Sequence, residues 1–297
     1  MTDVPPPGDD PAAHESGATV GRLVLVSTPI GNLGDMTVRA REALARADVV
    51  LCEDTRTTRR LLAALAIEAK LQALHEHNED AAIPGVLARL RAGGRVALVS
   101  DAGTPLMSDP GFRLARAAIA EGAAVSAVPG ANAAVMAVTV SGLPPLPCLM
   151  LGFPPPRAAA RRAAFARLRA AERAGLSATL VWHEAPHRLA ETLRGMAEVF
   201  GDRPAAVARE LTKRFEEVRR GGLVELAAHY AANDARGEVT VVVGPAPEEA
   251  ADATGLDEAL RNALRTQSVR DAAALVAEAT GLPRKLVYAR ALELGGS

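Results

Sequence analysis

Three short loops carry the residues whose types and spacing could do chemistry. They are Thr28–Asp35, Asp101–Gly111 and Val128–Ala134, and each follows a short apolar run. Glycines at 31 and 34 let the backbone approach a ligand closely. Asp101 and Asp109 add carboxylates, and the third loop enters a helix of small residues whose first N–H groups have no partner in the helix. These loops predict a site for a small polar ligand that is held largely by backbone groups.

Short apolar strands alternate with helices in the part of the chain that positions these loops. Such an alternation is typical of a mainly parallel sheet with helices on both faces. Sheets of this class bind ligands at the carboxyl ends of their strands, which is where the loops lie. The fold class is therefore α/β. The predicted strands are Arg22–Ser27, Val49–Cys52, Arg95–Ser100 and Ala124–Val128.

Prolines at 144, 145 and 147 interrupt the pattern, and a second block of strands and helices follows. An Arg/Ala-rich helix from Ala158 to Ala174 opens that block, and an acidic Pro/Ala segment closes it. The predicted organisation is a disordered tail (1–20), an N-terminal α/β domain (21–143), a second α/β domain (149–244), a linker (245–255) and a C-terminal helix-turn-helix-like region (256–297).

Composition limits the class of protein. The formal net charge of -1 lacks the basic excess of many nucleic-acid binders, so any RNA contact must come from a local patch. Cys52 and Cys148 lie in apolar runs, as reduced cytosolic thiols do. The N-terminal segment has no signal-peptide pattern, and no apolar run is long enough to cross a bilayer. We expect a cytoplasmic protein without a membrane anchor.

Other ligands fit the loops less well. Glu53 or Asp54 could hold a nicotinamide ribose about 20 residues after the first loop, but the glycine spacing differs from that of dinucleotide sites. A P-loop is excluded because no Gly-Lys-Ser/Thr follows the glycines. His75 and His77 have no further ligand cluster nearby, so we predict no metal site.

Eight ordered motifs together carry a resemblance to a known family. They are Ser27–Thr37, Glu53–Arg56, His75–Glu79, Val99–Pro105 with Ser108–Gly111, Val128–Gly130, Glu184–Arg188, Ala208–Lys213 and Gly237–Glu238. They resemble the motifs of the small-subunit ribosomal RNA methyltransferases in the tetrapyrrole-methylase superfamily. Four positions depart from the common pattern of that family: Ala131 and Asn132 after Gly130, His183 before Glu184, and Ala185 after it.

The resemblance implies two α/β domains with an S-adenosylmethionine site in the cleft between them. It also implies a homodimer, and 2′-O-methylation of a cytidine ribose in the decoding region of 16S rRNA within the small ribosomal subunit. Two alternatives stay open: a methylase of corrinoid or porphyrin precursors, and an RNA-binding ribosome assembly factor with a vestigial pocket. A nicotinamide oxidoreductase is a distant third.

Candidate cofactor residues come from the three loops, largely through backbone groups, and by analogy from the second domain. Those in the loops are Pro29, Gly31, Asn32, Asp101, Ala102, Gly103, Thr104, Pro105, Asn132 and Ala133. Those that could close the cleft from the second domain are Arg209, Gly237 and Glu238.

A neutral ribose hydroxyl is a poor nucleophile, so a base or a well-placed acceptor would help. The candidates are Lys213, Glu184 and Glu210. Lys213 would need a pKa lowered by burial or by a neighbouring cation. For Glu184 the alternative is an anchor for His187 or Arg188, and for the Arg209–Lys213 stretch it is a surface ion-pair network.

Arginines crowd the helix that follows the proline-rich hinge (Pro154–Pro156), and Arg161 and Arg162 are its candidates for RNA phosphate contact. A solvated helix face is the alternative. Arg284, Lys285 and Arg290 lie in the C-terminal segment, whose pattern around Gly281-Leu-Pro resembles a helix-turn-helix. We expect these three to touch RNA as well.

Overall fold

The structure is a computed structural model that describes residues 21–247, 253–280 and 282–295. For residues 253–255 it describes the backbone alone. The predicted tail (1–20) and residues 248–252 of the predicted linker lie outside the described residues. Contacts divide the chain into two compact units, one that ends at Gly244 and one that begins at Pro245. The two α/β halves therefore form one unit.

The first sheet has five parallel strands in the order β3-β2-β4-β1-β5. Val26 of β1 lies beside Val99 of β4 on one side and beside Val128 of β5 on the other. Because these strands end at the same level, the three glycine-containing loops leave the sheet side by side. The strands are β1 (Arg22–Val26), β2 (Val49–Cys52), β3 (Leu71–Ala73), β4 (Arg95–Val99) and β5 (Ala124–Val128).

Helices cover both faces of this sheet. One face packs Leu44 and Leu62 against Val26 and Val50, and the other packs Leu90 and Leu114 against the sheet. Buried strands with apolar side chains on both faces explain the continuous apolar runs in the sequence. The helices are α1 (Val38–Ala45), α2 (Thr55–Ala64), α3 (Glu79–Arg91) and α4 (Phe112–Ala120).

The second sheet is mixed, with the order β6-β7-β10-β8-β9. Strand β6 runs parallel to β7, and the remaining neighbours are antiparallel. As a result the carboxyl ends of β7 and β8 and the amino end of β10 meet at one edge. The strands are β6 (Cys148–Met150), β7 (Thr179–Glu184), β8 (Pro204–Arg209), β9 (Glu217–Gly222) and β10 (Val239–Val243).

Helix α5 (Ala133–Ser141) joins the two halves. It begins at the third loop of the first sheet, and Ala134, Ala137 and Val138 pack against Val181 and Val242 of the second sheet. The opposite face of the second sheet carries the aromatic core around Phe165 and Trp182. That face is covered by α6 (Ala158–Arg173), α7 (Leu189–Phe200) and α8 (Leu223–Ala232).

The helical pattern of Pro84–Ala92 predicts a helix that begins at Pro84. Helix α3 instead begins at Glu79, whose buried side chain accepts a hydrogen bond from the N–H of Leu114. The predicted linker (245–255) overlaps helix α9 (Ala253–Leu264), which begins two residues before the predicted end of the linker. Strands β3 and β9 and helix α8 were not predicted. For β9 the reason is that Glu217–Gly222 lacks an apolar pattern.

The C-terminal unit consists of three helices around a small apolar core. Leu260, Ala272, Val276 and Val287 are buried in that core. The helices are α9 (Ala253–Leu264), α10 (Val269–Thr280) and α11 (Arg284–Gly295).

Candidate active site

Thr104 ties the three glycine-containing loops of the first sheet together. Its Oγ1 accepts hydrogen bonds from Ser27 Oγ (3.4 Å) and from Asn132 Nδ2 (3.3 Å), and donates to the Ala131 carbonyl (3.2 Å). One hydroxyl therefore links the end of β1, the loop after β4 and the loop after β5. We call these three loops and strand ends the first-sheet edge (residues 27–35, 100–111 and 128–133).

Backbone contacts lock the same arrangement. Thr28 and Gly103 exchange two N–H···O bonds of 2.9 and 3.1 Å, and the Ser27 N–H donates to the Val128 carbonyl at 3.2 Å. Gly103 has φ = +86°, a conformation that favours glycine. A Cβ on Gly130 would lie 2.8 Å from the Cβ of Ser27. These two glycines are needed for the loops to pack this closely.

A pocket of about 360 Å³ opens at the first-sheet edge. Its size is within the range of small-molecule sites, roughly 300–1,000 Å³. The lining combines apolar walls with two hydroxyl groups, which suits an adenosine-sized ligand. The lining residues are Leu25, Ser27, Thr104, Pro105, Ala127, Val128, Pro129 and Gly130.

All ten predicted cofactor residues of the loops lie at this edge, and two of them also form hydrogen bonds within the protein. Asn32 accepts from the Gly34 N–H (2.9 Å), and Asn132 caps helix α5 by accepting from the Val135 N–H (3.1 Å). Both amides are therefore partly engaged within the protein. Predicted residues that belong to the first-sheet edge are Pro29, Gly31, Asn32, Asp101, Ala102, Gly103, Thr104, Pro105, Asn132 and Ala133.

Carboxylates at the first-sheet edge lack cationic partners. Burial, and to a lesser degree the charge of Asp54, raises the pKa of Asp101, although the Asp54 N–H donates to its Oδ1 at 3.2 Å. Burial and the charges of Glu53 and Asp101 raise the pKa of Asp109 to about 6. Within the described residues no ion pair reaches Glu53, Asp101 or Asp109, so this edge favours a proton or a cationic ligand.

Lys213 lies at the opposite side of the cleft, where the second sheet ends. Its Nζ contacts Glu210 Oε1 at 2.8 Å and Glu238 Oε2 at 2.7 Å. Its aliphatic chain crosses Gly31, where a Cβ would come within 2.8 Å of Lys213 Cδ. The two halves of the unit therefore meet here. We call residues 183–184, 209–213 and 237–240 the second-sheet edge.

The backbone around Lys213 is strained. Glu210 has φ = +54° and Thr212 has φ = +67°, values that are uncommon for any residue with a side chain and a clear outlier for a β-branched one. Gly237 has φ = +78°, and a Cβ on it would overlap the Glu210 carboxylate. Strain of this kind often accompanies a functional site, and here it holds Glu210 between Lys213 and the Glu238 N–H (3.0 Å).

The electrostatics of Lys213 differ from what a lysine base requires. Burial by itself would lower the pKa of Lys213, but the hydrogen bonds to Glu210 and Glu238 outweigh it and raise that pKa. The hydrogen bond from Lys213 in turn lowers the pKa of Glu210. In this structure Lys213 is therefore a charged ammonium and Glu210 is a weak base. Lys213 does not have the lowered pKa that a lysine base would need.

Glu184 is occupied as an anchor. It is buried, and its Oε1 accepts from the Ala185 N–H (2.7 Å) and from the Arg188 guanidinium (Nε at 2.8 Å). Its Oε2 accepts from the Thr192 hydroxyl at 2.5 Å. The alternative of an anchor for Arg188 therefore describes Glu184, which is buried and engaged through both carboxylate oxygens.

The remaining predicted residues of the second domain lie beside Lys213 or next to it in the chain. Arg209 is paired with Glu217 (3.5 Å) and donates to the Phe215 carbonyl (3.2 Å). Glu238 is exposed apart from its contact with Lys213. The predicted surface ion-pair network is thus present at the second-sheet edge, together with Gly237.

Arg161 cannot contact RNA, which corrects the prediction made for it. Its side chain is 3 % exposed, pairs with Glu191 at 2.6 Å and donates to the carbonyl of Pro156 at 3.1 Å. It fastens the proline-rich hinge to helix α6. The neighbouring Arg162 is exposed but pairs with Glu198 at 2.5 Å, so this helix face is largely the solvated ion-pair face considered above.

In the C-terminal unit the predicted RNA residues divide in the same way. Arg290 pairs with Asp257 (2.6 Å) and with Glu293 (2.5 Å), which occupies its guanidinium in holding α11 against α9. Arg284 and Lys285 are exposed at the start of α11 and form no ion pair with another described residue. They remain available to a phosphate backbone.

Sequence reasoning missed the residues that organise the site across the sheets. Ser27 and Thr240 are buried polar residues at strand ends, and their polarity in otherwise apolar runs was the available signal. His183 was noted only as a departure from a motif.

Among the described residues no group of three or more potential metal ligands was found. None of the described helices has the length and apolar character to span a bilayer.

Comparisons with known proteins agree with this architecture. Residues 22–227 match the family profile described as Tetrapyrrole (Corrin/Porphyrin) Methylases, and residues 248–295 match the RsmI C-terminal HTH domain. A Mesorhizobium japonicum protein is 47 % identical over 92 % of each chain. A Micromonospora olivasterospora protein is 48 % identical over 93 % of this chain and 87 % of its own. Both relatives are named ribosomal RNA small subunit methyltransferase I.

Solved structures share the fold. A cobalt precorrin-4 methyltransferase superimposes with a TM-score of 0.56 at 19 % identity, covering 78 % of this chain and 98 % of that chain. A Thermus thermophilus uroporphyrin-III C-methyltransferase, solved with S-adenosyl homocysteine, gives 0.51 at 20 % identity, covering 75 % and 97 %.

The predicted α/β fold class is confirmed by these matches. The methyltransferase class and its S-adenosylmethionine cofactor, which the resemblance implied, are confirmed at the level of the family. By sequence and by fold, this chain belongs to the tetrapyrrole methylase family, and within it to the group whose curated members are named ribosomal RNA small subunit methyltransferase I.

Proposed function

We propose that this chain transfers the methyl group of S-adenosylmethionine to the ribose 2′-hydroxyl of a cytidine in the decoding region of 16S rRNA. One observation supports the RNA substrate above all. This chain combines the methylase unit with RsmI-type C-terminal helices, and it matches over 92 % of its length a relative that is named for ribosomal RNA. Because ribosomes are assembled there, we expect it to act in the cytoplasm.

The first-sheet edge fits the cofactor. S-adenosylmethionine carries a positive sulfonium and an ammonium group, and the carboxylates at Asp101 and Asp109 have no cation to balance them. The hydroxyls of Ser27 and Thr104 and the exposed backbone of Gly130 line a pocket of suitable size. The residues that would hold the cofactor are therefore those of the first-sheet edge.

Methyl transfer from a sulfonium is an in-line displacement in which the cofactor supplies the reactive methyl group. The protein contributes chiefly by alignment, which can supply roughly 7–11 kcal/mol of the barrier. Thr104 and the Thr28–Gly103 bridge fix the loops that hold the cofactor. Across the cleft, the Lys213 ammonium is suited to stabilise negative charge that develops on the ribose oxygen.

RNA contact would come from exposed cations of the C-terminal helices. We assign Arg284 and Lys285 to phosphate contact. Because each phosphate contact releases counterions, the Arg284→Ala/Lys285→Ala double variant should weaken binding to small subunits and flatten its dependence on salt. Cofactor affinity should not change. An unaltered salt dependence measured by filter binding would contradict this assignment.

A homodimer also belongs to the proposal. Helices α4 and α5 expose apolar side chains, among them Phe112, Ile119, Val135 and Met136. Exposed apolar side chains of this kind often mark an interface between subunits. Sedimentation velocity should give the mass of a dimer for the wild type and that of a monomer for Ile119→Asp. A monomeric wild type would contradict this part of the proposal.

The test of the activity offers labelled S-adenosylmethionine together with unmodified 30S subunits, naked 16S rRNA or a tetrapyrrole precursor. We expect label in the RNA, on one cytidine ribose. The Gly103→Val variant is the negative control and should transfer no label. Gly103 has a φ of +86°, and a Cβ there would lie 3.3 Å from the Ile30 side chain, so a branched residue would distort the loop. Label in the tetrapyrrole would favour the second candidate, which the shared fold with precorrin and uroporphyrin methylases supports. Binding of RNA without any transfer would favour the assembly factor.

A further inference from the structure

The three predicted proton acceptors leave the ribose hydroxyl without a base. Glu184 is saturated by Arg188, Thr192 and a backbone N–H. Lys213 is held as an ammonium, and its contact weakens Glu210 as an acceptor. A different neutral acceptor at the second-sheet edge would complete the site.

His183 lies on the face of the second sheet that is turned toward the first half. In the sheet register it stands beside Thr240, which in turn stands beside Ala208. The next row of the same face, Val181 with Val242, packs under helix α5. Since side chains alternate along a strand, His183 projects from this face one row closer to the edge than the α5 contact.

Neighbouring groups position the imidazole. Its Nδ1 lies 3.2 Å from the Thr240 hydroxyl, and its ring lies 5.6 Å from that of Phe153. The backbone N–H of His183 donates to the Gly152 carbonyl, and a Cβ on Gly152 would lie 3.3 Å from Ser108 Oγ. The segment beside His183 therefore abuts the loop after β4 at the first-sheet edge.

The other ring nitrogen is free to meet a substrate. Within the described residues His183 Nε2 has no hydrogen-bond partner, and it is not one of the buried unpaired polar atoms. Nε2 is therefore not fully enclosed, and the ring lies on the face of the sheet that is turned toward the first half. If the Nδ1–H donates to the buried Thr240 hydroxyl, the lone pair of the imidazole stands on Nε2, the tautomer that a general base needs.

We propose that His183 is the group that accepts the ribose 2′-hydroxyl proton through Nε2, an inference that rests on the proposed function. As the new O–CH₃ bond forms, the bond between the methyl carbon and sulfur breaks, and sulfur keeps the electron pair. The hydroxyl proton passes to Nε2 and is then released to water. The reactants carry the cofactor's positive charge, and the products carry it on the imidazolium.

The charge state of the ring agrees with this role. Burial lowers the pKa of His183, and the carboxylate of Glu238, which Lys213 holds, opposes that shift only in part. The imidazole is therefore neutral at pH 7. Glu238 is the charged group that acts on it; the Phe153 and Thr240 side chains that pack against it carry no charge.

The experiment measures single-turnover methylation of unmodified 30S subunits at saturating S-adenosylmethionine, as a function of pH. His183→Gln can keep a contact with Thr240 but cannot take a proton, and His183→Phe removes both. We expect each to slow the reaction by about 100-fold or more. The wild-type rate should fall as pH drops through the histidine's pKa, and His183→Gln should lose that acid limb.

Controls separate this role from a structural one. Thr240→Val should lower the rate less than His183→Gln, and Thr240→Ser should restore it. His229→Gln is the matched control, because His229 lies in helix α8, which covers the opposite face of the sheet, and its ring contacts that of Tyr230. The methylation rate of this variant should match that of the wild type. Cofactor affinity, measured by calorimetry, should be the same in all variants.

A His183→Gln enzyme with the wild-type rate and the wild-type acid limb would overturn the inference and leave the proposed function intact. A wild-type enzyme that transfers no methyl group to RNA would contradict the proposed function and the inference with it. The two failures are distinguished because the wild type is measured first.

Discussion

Carboxylates at the two edges of the cleft lie in opposite electrostatic surroundings. At the first-sheet edge, burial and neighbouring carboxylates raise the pKa of Asp101 and bring that of Asp109 to about 6. At the second-sheet edge, Lys213 lowers the pKa of Glu210, and Arg188 pairs with the buried Glu184. One edge has negative charge without a partner, and the other has every buried or strained carboxylate matched with a cation.

The contrast separates two tasks. An edge with unmatched negative charge gains stability when a cation binds, as a sulfonium cofactor would. An edge of matched ion pairs is already ordered, and so can hold substrate groups without rearranging when charge develops. Substitutions that remove one feature of one edge test this division of tasks.

The largest expected effect is on stability, from Glu184→Ala at the second-sheet edge. It strands the Arg188 guanidinium and removes the acceptor for Thr192 and the Ala185 N–H. Breaking a buried pair on one side typically costs about 3–5 kcal/mol. The free energy of unfolding from urea titration should fall by that order. Glu42→Gln, in an exposed pair with Arg46, is the control and should change it little. If both variants lost the same amount, Glu184 would not be an anchor.

Next is the activity of Lys213→Met, which removes the cation of the second-sheet edge and keeps the aliphatic chain over Gly31. Loss of one group that stabilises developing charge typically costs about 100-fold in rate. We expect this loss in single-turnover methylation, with cofactor affinity retained. The exposed Lys70→Met is the matched control. A variant that lost cofactor binding and kept its rate would reverse the division of tasks.

A smaller effect is expected from Thr104→Val at the first-sheet edge. The substitution keeps the shape of the side chain and removes the hydroxyl that joins the three loops. Leaving their polar groups unpaired should cost about 1–3 kcal/mol, seen as weaker binding of S-adenosylmethionine in calorimetry. Thr139→Val is the control, because the Thr139 hydroxyl donates to the Val135 carbonyl within helix α5. This variant should bind S-adenosylmethionine with the wild-type affinity. Equal affinities in the two variants would argue against Thr104 as the link.

The smallest effect concerns pH. The pKa of Asp109 is raised to about 6 in the folded protein, above the ordinary value of 3.8, so the folded state binds the proton more tightly than the unfolded state. Stability from this group is present at low pH and is lost as pH rises through about 6. Asp109→Asn should therefore raise the melting temperature at pH 7.5, by less than about 3 °C, and have little effect near pH 4.

Thermal scans of Asp109→Asn and the wild type across this range would check the sign. Glu210→Gln should respond in the opposite direction, because its lowered pKa stabilises the folded state above the ordinary value and that stability is lost as pH falls. Parallel pH profiles for the two variants would contradict the contrast between the edges.

Local patterns in the sequence predicted the first sheet and its loops well. The runs at 22–27, 49–52, 95–100 and 124–128 are apolar and bounded by turn residues, so they indicate strands by themselves. Strand β9 was missed because Glu217–Gly222 is an edge strand in which packing does not dictate apolar residues. Pro84 misled the prediction of α3, since proline usually stands in the first turn of a helix.

Parts of the site depend on contacts between residues far apart in the chain. The raised pKa of Lys213 depends on Glu238, and the role of Glu184 as an anchor depends on Thr192. Arg161 looked like a surface arginine because the helix around it is arginine-rich, but its partners come from the hinge and from α7. Motif spacing identifies such residues without showing which of them are already engaged.

The most direct test is a crystal structure of the chain with S-adenosylhomocysteine. Our account predicts the ligand in the pocket beside Thr104, with hydrogen bonds to backbone groups of residues 101–105 and 130–133 and with its sulfur facing the cleft toward the second-sheet edge. A ligand bound away from these loops would contradict the account, as would loops that separate when it binds.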